Sequence, residues 1–250
     1  MGQYRTGSIP RMSDTPVARR PPHGQEFNWH WTVTRGLAHL SAWLLLLRVR
    51  SEGEEYLPTR GAAILAGNHL SFIDPIATFP GVARRRRELY YLAAAEFFPK
   101  PGLGWGLKFL KQVPVRRGQG DRAAIDAAEA YLREGRVVAI FPEGRINTEP
   151  EQLLPGKSGV ARLALETGAP IIPVANWGVQ RRWPKSGLRW PRPLRTEVQV
   201  LFGEPITVDH VEDLPTEDAI AALTEQVMAV LESLRERAST LVSARQRGRA

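Results

Sequence analysis

Residues 62–76 read AAILAGNHLSFIDPI, and this stretch decides the class of fold. Its first part, AAILA (62–66), is an unbroken apolar run, which predicts a strand covered on both faces. Asp74 followed by Pro75 matches a helix N-cap with proline at the first helical position, so a helix is expected to begin there. A strand followed at once by a helix favours an α/β fold.

The same alternation of apolar runs and helical patterns continues along the chain. The runs are nearly continuous in hydrophobicity, as expected for strands with helices on both faces. We therefore predict a mixed α/β domain with a mainly parallel central sheet flanked by helices. Further strands are predicted at residues 89–95, 113–115, 137–141, 171–175 and 198–202, and further helices at 121–135, 156–170 and 216–238.

The two ends of the chain depart from this pattern. Residues 1–26 are rich in Pro, Arg and Gly and lack the apolar core of a signal peptide, so they predict a flexible basic arm. Residues 27–50 predict an amphipathic helix, either packed on the domain or lying in a membrane interface, and the two are compatible. A membrane span is not expected, because four charged or histidine residues interrupt residues 29–49. Residues 51–243 form the predicted domain, and 244–250 a basic tail.

Composition excludes several classes of site. The chain has 250 residues, no cysteine and five histidines. A disulfide framework, a thiolate nucleophile and a cysteine-based zinc site are therefore excluded, and no metal site is predicted. The net charge of +8 and the pI of about 10.3 indicate anionic partners: acidic lipid headgroups, phosphorylated small molecules or nucleic acid.

The turn after the first predicted strand carries a histidine and an aspartate, His69 and Asp74. One interpretation is structural, with Asp74 capping the helix and His69 lying in a loop. The functional interpretation is a dyad in which Asp74 accepts a hydrogen bond from one ring nitrogen and leaves the other basic. Such a pair acts as a general base on a substrate hydroxyl. Ser71 is close, but it lacks the G-x-S-x-G turn that presents a nucleophilic serine.

A second polar turn follows a later predicted strand. Residues 137–147 read VVAIFPEGRIN, so Glu143, Gly144 and Arg145 come at the strand exit. These residues form either an exposed turn with an ion pair or a second wall of the same cleft. In a cleft, arginine binds an anionic group, glutamate a hydroxyl, and glycine allows close approach of the backbone.

Over residues 50–205 the chain resembles the lysophosphatidic acid and glycerophosphate acyltransferases. His69 and Asp74 match the family's H-x-x-x-x-D block, preceded by the usual asparagine, Asn68. VPVRR, ending at Arg117, resembles the second block, whose arginine is implicated in acceptor binding. FPEGRIN (141–147) resembles the third block, and APIIPVA (169–175) the fourth, which helps to line the acyl site.

The chain departs from the family pattern at two places. In the third block, Thr and then Arg usually follow the glycine, whereas here Arg145 and Ile146 follow Gly144. Many members also carry Lys-Glu-Leu after the first block, where this chain has Ala-Glu-Phe at 95–97. The candidates for the missing charge are Lys100, Lys108 and Arg117.

The resemblance implies that His69 deprotonates a glycerol-type hydroxyl, whose oxygen attacks an acyl thioester. The donor is acyl-CoA or acyl-ACP (acyl carrier protein), used as a co-substrate, with no cofactor. The implied partners are the donor and membrane lipid, with no nucleic acid, and the implied location is peripheral, on the cytoplasmic face of a membrane. The expected site residues, besides the dyad, are Asn68, Lys108, Arg117, Glu143, Gly144 and Arg145.

Two other functions remain open from the sequence. A basic module could bind anionic lipid or nucleic acid without turnover, and a hydrolase could use the same dyad on water. Residues 177–195 bear on the first, because three tryptophans alternate there with basic residues. This pattern is typical of membrane interfaces and of single-stranded nucleic acid sites, or of a loop covering the core. Its many prolines favour a loop that contacts a membrane or the donor's phosphates.

Overall fold

The computed structural model describes residues 29–109, 112–115, 122–190, 194–211 and 213–248. The predicted alternation of strands and helices is confirmed. The helices are α1 (Trp29–Leu44), α2 (Asp74–Arg84), α3 (Leu103–Phe109), α4 (Arg122–Arg133), α5 (Gly159–Thr167), α6 (Val179–Arg182) and α7 (Thr216–Arg247). The strands are β1 (Leu47–Glu52), β2 (Ala63–Gly67), β3 (Leu89–Ala94), β4 (Val113–Val115), β5 (Val137–Ile140), β6 (Ile171–Trp177) and β7 (Thr196–Phe202).

Within the described residues these strands form one sheet, in the order β1-β7-β6-β2-β5-β3-β4. Every neighbouring pair is parallel except β6 and β7, which are antiparallel. The mixed, mainly parallel sheet predicted from the sequence is therefore confirmed. From β2 the chain crosses to β3 beyond β5, whereas from β5 it crosses to β6 beyond β2. Connections that leave two adjacent parallel strands in opposite directions open a crevice at their carboxyl ends.

Two hydrophobic clusters cover the two faces of the sheet, which explains why the strands are apolar throughout. Leu65 belongs to one cluster, with Ala77 and Val82 of α2. Its neighbours Ile64 and Ala66 belong to the other, since successive side chains of a strand point to opposite faces. Helices α4, α5 and the first half of α7 pack in that second cluster.

The predicted helix over residues 27–50 is wrong at its end. Helix α1 ends at Leu44, Leu46 turns the chain with φ of 53°, and residues 47–52 form β1. In β1, half-buried residues alternate with exposed ones, a period of two that identifies a strand. The start of that prediction, and the predicted arm over residues 1–26, lie outside the described residues.

The predicted basic tail also differs, because α7 continues to Arg247 and takes in most of residues 244–250. No helix in the described ranges has both the length and the apolar character that a membrane crossing requires.

Candidate active site

His69 and Asp74 are brought together by the turn between β2 and α2. The ring nitrogen Nδ1 of His69 lies 2.8 Å from Oδ2 of Asp74. The same oxygen accepts hydrogen bonds from the amides of Leu70, at 2.9 Å, and Ser71, at 2.8 Å. The carboxylate therefore points back toward the imidazole. It does not cap α2, whose first turn has no side-chain cap, so the capping interpretation is wrong.

The Asp74 carboxyl is fully buried, and burial raises its pKa, while the bonds from His69 and the two amides oppose that rise. All three donors on Oδ2 favour the ionised form. An acceptor at Oδ2 places the imidazole proton on Nδ1, which leaves the lone pair of Nε2 available. The geometry is compatible with the general base that the sequence predicts.

A phenyl ring holds the imidazole from one face. Phe141 stacks on His69 with ring centroids 4.0 Å apart and planes 7° from parallel. Tyr91 in turn stacks on Phe141, with centroids 5.6 Å apart. The His69 side chain keeps 12% of its surface exposed, so the ring is held in position without being fully buried.

The turn after β5 reaches the backbone of His69. Strands β2 and β5 are paired with Ala66 opposite Ile140. The polar turns that follow the two strands therefore begin side by side at the same edge of the sheet. Oε1 of Glu143 accepts a hydrogen bond from the His69 amide at 2.8 Å. The Asn147 amide donates to the His69 carbonyl at 2.7 Å. Two residues of one turn thus hold both backbone polar groups of the histidine.

The second oxygen of Glu143, Oε2, accepts from the Leu154 amide at 3.0 Å. Burial raises the pKa of this carboxyl, against the two amide bonds, which lower it. Each oxygen thus accepts a hydrogen bond from a backbone amide, so Glu143 positions the turn of His69. This positioning contact could not be predicted from the sequence, because Glu143 and His69 lie far apart along the chain. The expected contact of Glu143 with a substrate hydroxyl stays a prediction.

Asn68 is likewise engaged with the protein. Its side-chain nitrogen donates to the Asn176 carbonyl at 3.0 Å, and its oxygen accepts from the Asn176 amide at 2.7 Å. The Asn176 side chain continues to Thr78 of α2, at 3.1 to 3.2 Å. This buried network ties the end of β2 to β6, so Asn68 positions the turn where the sequence predicted a substrate contact.

Gly144 and Arg145 follow Glu143 on the open side of the turn. Gly144 has φ of 67°, a conformation that glycine adopts without strain. Arg145 is exposed, whereas Ile146 is buried. The end of the Lys157 side chain lies close to Gly144. A Cβ atom added to that glycine would be 2.8 Å from the lysine Nζ. Lys157 was not predicted from the sequence as a residue of this site.

The other predicted positions are less central. Lys108 is exposed in the last turn of α3, and within the described chain it makes no hydrogen bond or ion pair with the dyad. Arg117 lies outside the described residues. The Ser71 hydroxyl donates to the Trp183 carbonyl and accepts from the Ile73 amide at 3.2 Å. It is therefore not directed at His69.

The aromatic and basic segment 177–195 divides into a buried part and an exposed part. Trp177 and Arg182 are buried, and the Arg182 guanidinium donates to the carbonyls of Arg189 and Leu194. Trp190 is 57% exposed and lies against Arg182, 4.9 Å from ring centroid to guanidinium carbon. Part of the segment therefore covers the core, and part faces solvent.

Comparison with known proteins agrees with this geometry. The chain is similar to the 1-acyl-sn-glycerol-3-phosphate acyltransferase of Bacillus subtilis, with 28% identity over 193 residues, covering 77% of this chain and 91% of the relative. It is also 27% identical over 205 residues to the 1-acyl-sn-glycerol-3-phosphate acyltransferase alpha of Mus musculus, covering 78% and 66%.

Among solved structures, the crystal structure of the 1-acyl-sn-glycerophosphate (LPA) acyltransferase PlsC from Thermotoga maritima superposes with a TM-score of 0.66 and 25% identity. The match covers 83% of this chain and 78% of that one. The model of the Acyltransferase family matches residues 48–177, slightly more than half of the 250 residues and the part that contains both polar turns. By fold, site and sequence, this chain is an acyltransferase and belongs to the Acyltransferase family.

Proposed function

We propose that this enzyme transfers a fatty acyl group from acyl-CoA or acyl-ACP to the free hydroxyl of a 1-acylglycerol-3-phosphate-like lysophospholipid. One observation carries the mechanism: the 2.8 Å contact between His69 Nδ1 and Asp74 Oδ2, in a turn whose backbone is held by Glu143 and Asn147. The substrate class rests on the relatives and on the exposed Arg145.

In the proposed reaction, Nε2 of His69 takes the proton of the acceptor hydroxyl as its oxygen attacks the thioester carbonyl carbon. Asp74 keeps Nδ1 protonated and stabilises the imidazolium that forms. The carbon–sulfur bond then breaks, and the leaving thiolate takes the proton from the imidazolium. No acyl-enzyme forms, and the base returns to its starting state. A positioned base of this kind contributes roughly 10²–10⁴-fold in rate.

We further propose that the enzyme associates peripherally with a membrane, on its cytoplasmic face, and helix α1 supports the membrane association. The residues of α1 that face the domain are small, such as Ala38, Ser41 and Ala42. The exposed surface of α1 also carries Arg35 and His39, but it includes five large apolar residues that are 40–65% exposed: Val33, Leu37, Leu40, Trp43 and Leu44. A helix with its apolar side turned away from its own domain is suited to the interfacial layer of a bilayer.

Thiol release from an acyl-CoA tests the reaction. A chromogenic thiol reagent reports the product directly, because the cysteine-free enzyme gives no background. We expect release that depends on 1-acylglycerol-3-phosphate and that falls at least about 100-fold in His69→Ala.

Three outcomes separate the proposal from its competitors. An unchanged rate in His69→Ala would refute the dyad mechanism. Release without any acceptor would identify a thioester hydrolase. A complete lack of release with both acyl-CoA and acyl-ACP, over a panel of lysolipids, would indicate a binding module.

A further inference from the structure

Three aromatic rings are stacked one after another at the edge of the sheet beside the candidate active site. Phe141 takes part in both contacts: its ring centroid is 4.0 Å from that of His69 and 5.6 Å from that of Tyr91. The planes of Phe141 and His69 differ by 7°, and those of Phe141 and Tyr91 by 23°. Because close-packed groups transmit displacement, the position of the tyrosine ring bears on the position of the imidazole.

Tyr91 is fixed by its strand and by two hydrogen bonds. It lies opposite Ala139 of β5 in the sheet, two residues before Phe141, so the two aromatic side chains project from the same face. The Tyr91 amide donates to Oε1 of Gln112 at 2.6 Å. The Tyr91 hydroxyl is hydrogen-bonded to Thr78 of α2, and burial raises the pKa of this hydroxyl. The tyrosine is therefore held at its backbone and at the tip of its side chain.

Thr78 joins this stack to the backbone of the turn that carries the histidine. Its hydroxyl oxygen lies 3.1 Å from Nδ2 and 3.2 Å from Oδ1 of Asn176. Asn176 in turn exchanges two hydrogen bonds with Asn68, the residue before His69. Thr78, Asn176 and Asn68 are all buried. These contacts close a circuit that leaves His69 through its backbone and returns to its imidazole through Tyr91 and Phe141.

The space inside this circuit is not completely filled. Side chains and backbone of the circuit line a cavity of about 10 Å³, which is about the room that one water molecule needs. Phe141 and Tyr91 both border this cavity. Because there is free space beside the phenyl ring, loss of the tyrosine ring would let Phe141 move away from the imidazole.

We infer that Tyr91 is a positioning residue of the acyl-transfer reaction: its ring, anchored by Thr78, holds Phe141 flat against His69 and so fixes the direction in which Nε2 points. This inference rests on the proposed function, since His69 is the proposed base. A misdirected Nε2 meets the proton of the acceptor hydroxyl at a poor angle. The rate of transfer then falls, whereas the binding of donor and acceptor does not change.

The kinetics of thiol release in full-length Tyr91→Leu test this role. We expect kcat to fall about 10- to 100-fold, with KM for acyl-CoA and for 1-acylglycerol-3-phosphate within about twofold of the wild type. Tyr91→Phe keeps the ring and loses only the bond to Thr78. It should therefore recover most of the wild-type kcat.

A double-mutant cycle shows whether Tyr91 acts through the phenyl ring. Phe141→Leu should lower kcat by a similar factor. When Tyr91→Leu is added to that variant, kcat should fall by less than about twofold more, because the ring that Tyr91 holds is already gone. Two independent effects would multiply instead.

Tyr90→Leu is the matched control. Tyr90 is the preceding residue of β3, it is buried, and its ring stacks on Tyr131 of α4 with centroids 4.5 Å apart. The variant therefore loses the same ring on the opposite face of the sheet. Its thermal midpoint should fall, as in Tyr91→Leu, but kcat should stay within about twofold of the wild type.

The imidazole also gives a readout that does not depend on turnover. A phenyl ring stacked at 4.0 Å shifts the proton resonances of the His69 ring upfield, and His69→Ala assigns them among the five histidines. We expect Tyr91→Leu to lose most of this shift and Tyr90→Leu to keep it. Thr78→Val removes only the anchor and should move the resonances in the same direction by a smaller amount, which tests the inference even if Tyr91→Leu does not fold.

The outcomes separate this inference from the proposed function. In an enzyme that His69→Ala inactivates, a wild-type kcat or unmoved His69 resonances in Tyr91→Leu overturn the role of Tyr91 alone. Multiplied losses in the double-mutant cycle, or a rise in KM in place of a fall in kcat, do the same. An enzyme that keeps its rate in His69→Ala overturns the proposed mechanism, and the role of Tyr91 in the reaction with it.

Discussion

At His69, two carboxylates act on different atoms of one residue. Asp74 bonds the ring and Glu143 bonds the backbone amide. The first contact could be predicted, because a histidine and an aspartate five residues apart in a strand–turn–helix segment are necessarily close. The second could not, because it joins residues 74 apart in the chain and depends on which strands are neighbours. Lys157 was missed for the same reason.

Asp74→Asn tests the ring contact. The amide has almost the same shape, but it carries no negative charge to stabilise the imidazolium and its NH₂ group favours the wrong tautomer. We expect kcat for thiol release to fall on the order of 10²–10⁴-fold with little change in KM. Initial rates over a range of acceptor concentrations measure both constants.

Asp209→Asn serves as the control, since Asp209 is an exposed carboxyl in the short helix after β7. A folded Asp74→Asn enzyme that retained the wild-type kcat would show that the aspartate has only a structural role.

At the scale of elements, α1 and β1 show where a sequence pattern was misjudged. The apolar run that ends α1 leads straight into LRVRSE, and the predicted helix joined the two. The change from a helical period to strict alternation at Leu47 marks the true boundary. A deletion meant to remove α1 alone should therefore end before Leu47, because β1 is paired along its length with β7.

Substitution of the exposed face of α1 tests its membrane role without shortening the chain. In the triple variant Leu37→Ser, Leu40→Ser and Leu44→Ser, sedimentation with vesicles containing anionic lipid should fall at least about tenfold. Burying one leucine contributes about 1.5–3 kcal/mol, and these three are about half exposed. The thermal midpoint should change little. Leu214→Ser, an exposed leucine before α7, is the control. Unchanged sedimentation of the triple variant would count against the anchor.

For the whole molecule, the sequence predicted the class of fold but not the strand order. Runs that are apolar on both faces indicate a sheet between two layers of helices, and that was sufficient for the mainly parallel sheet. The order is set by packing between distant segments, such as the antiparallel pairing of β7 with β6. The two polar turns come together because β2 and β5 are neighbours in the sheet. No local sequence pattern encodes that pairing.

Burial of Glu143 should be visible in the stability of the whole molecule. The pKa of the Glu143 carboxyl is raised on folding. At a pH just above the ordinary carboxyl range, the unfolded chain has therefore lost this proton, whereas the folded protein still holds it. In that window the free energy of unfolding falls as the pH rises. We expect the difference in that free energy between wild type and Glu143→Gln to decrease from about pH 4 to pH 7. Urea denaturation measures it, and a difference that increased with pH would show that the two amide bonds outweigh burial.

The phenyl ring stacked on His69 has a consequence for the course of each turnover. With Phe141 parallel to one face at 4.0 Å and Asp74 on one edge, the imidazole has lost its rotational freedom before any lipid arrives. The binding energy of the acyl chain and headgroup then does not have to offset the entropy cost of fixing the imidazole ring. With the proposed base preorganised in this way, a shorter or poorly fitting acceptor should lose affinity well before it loses the geometry of proton transfer.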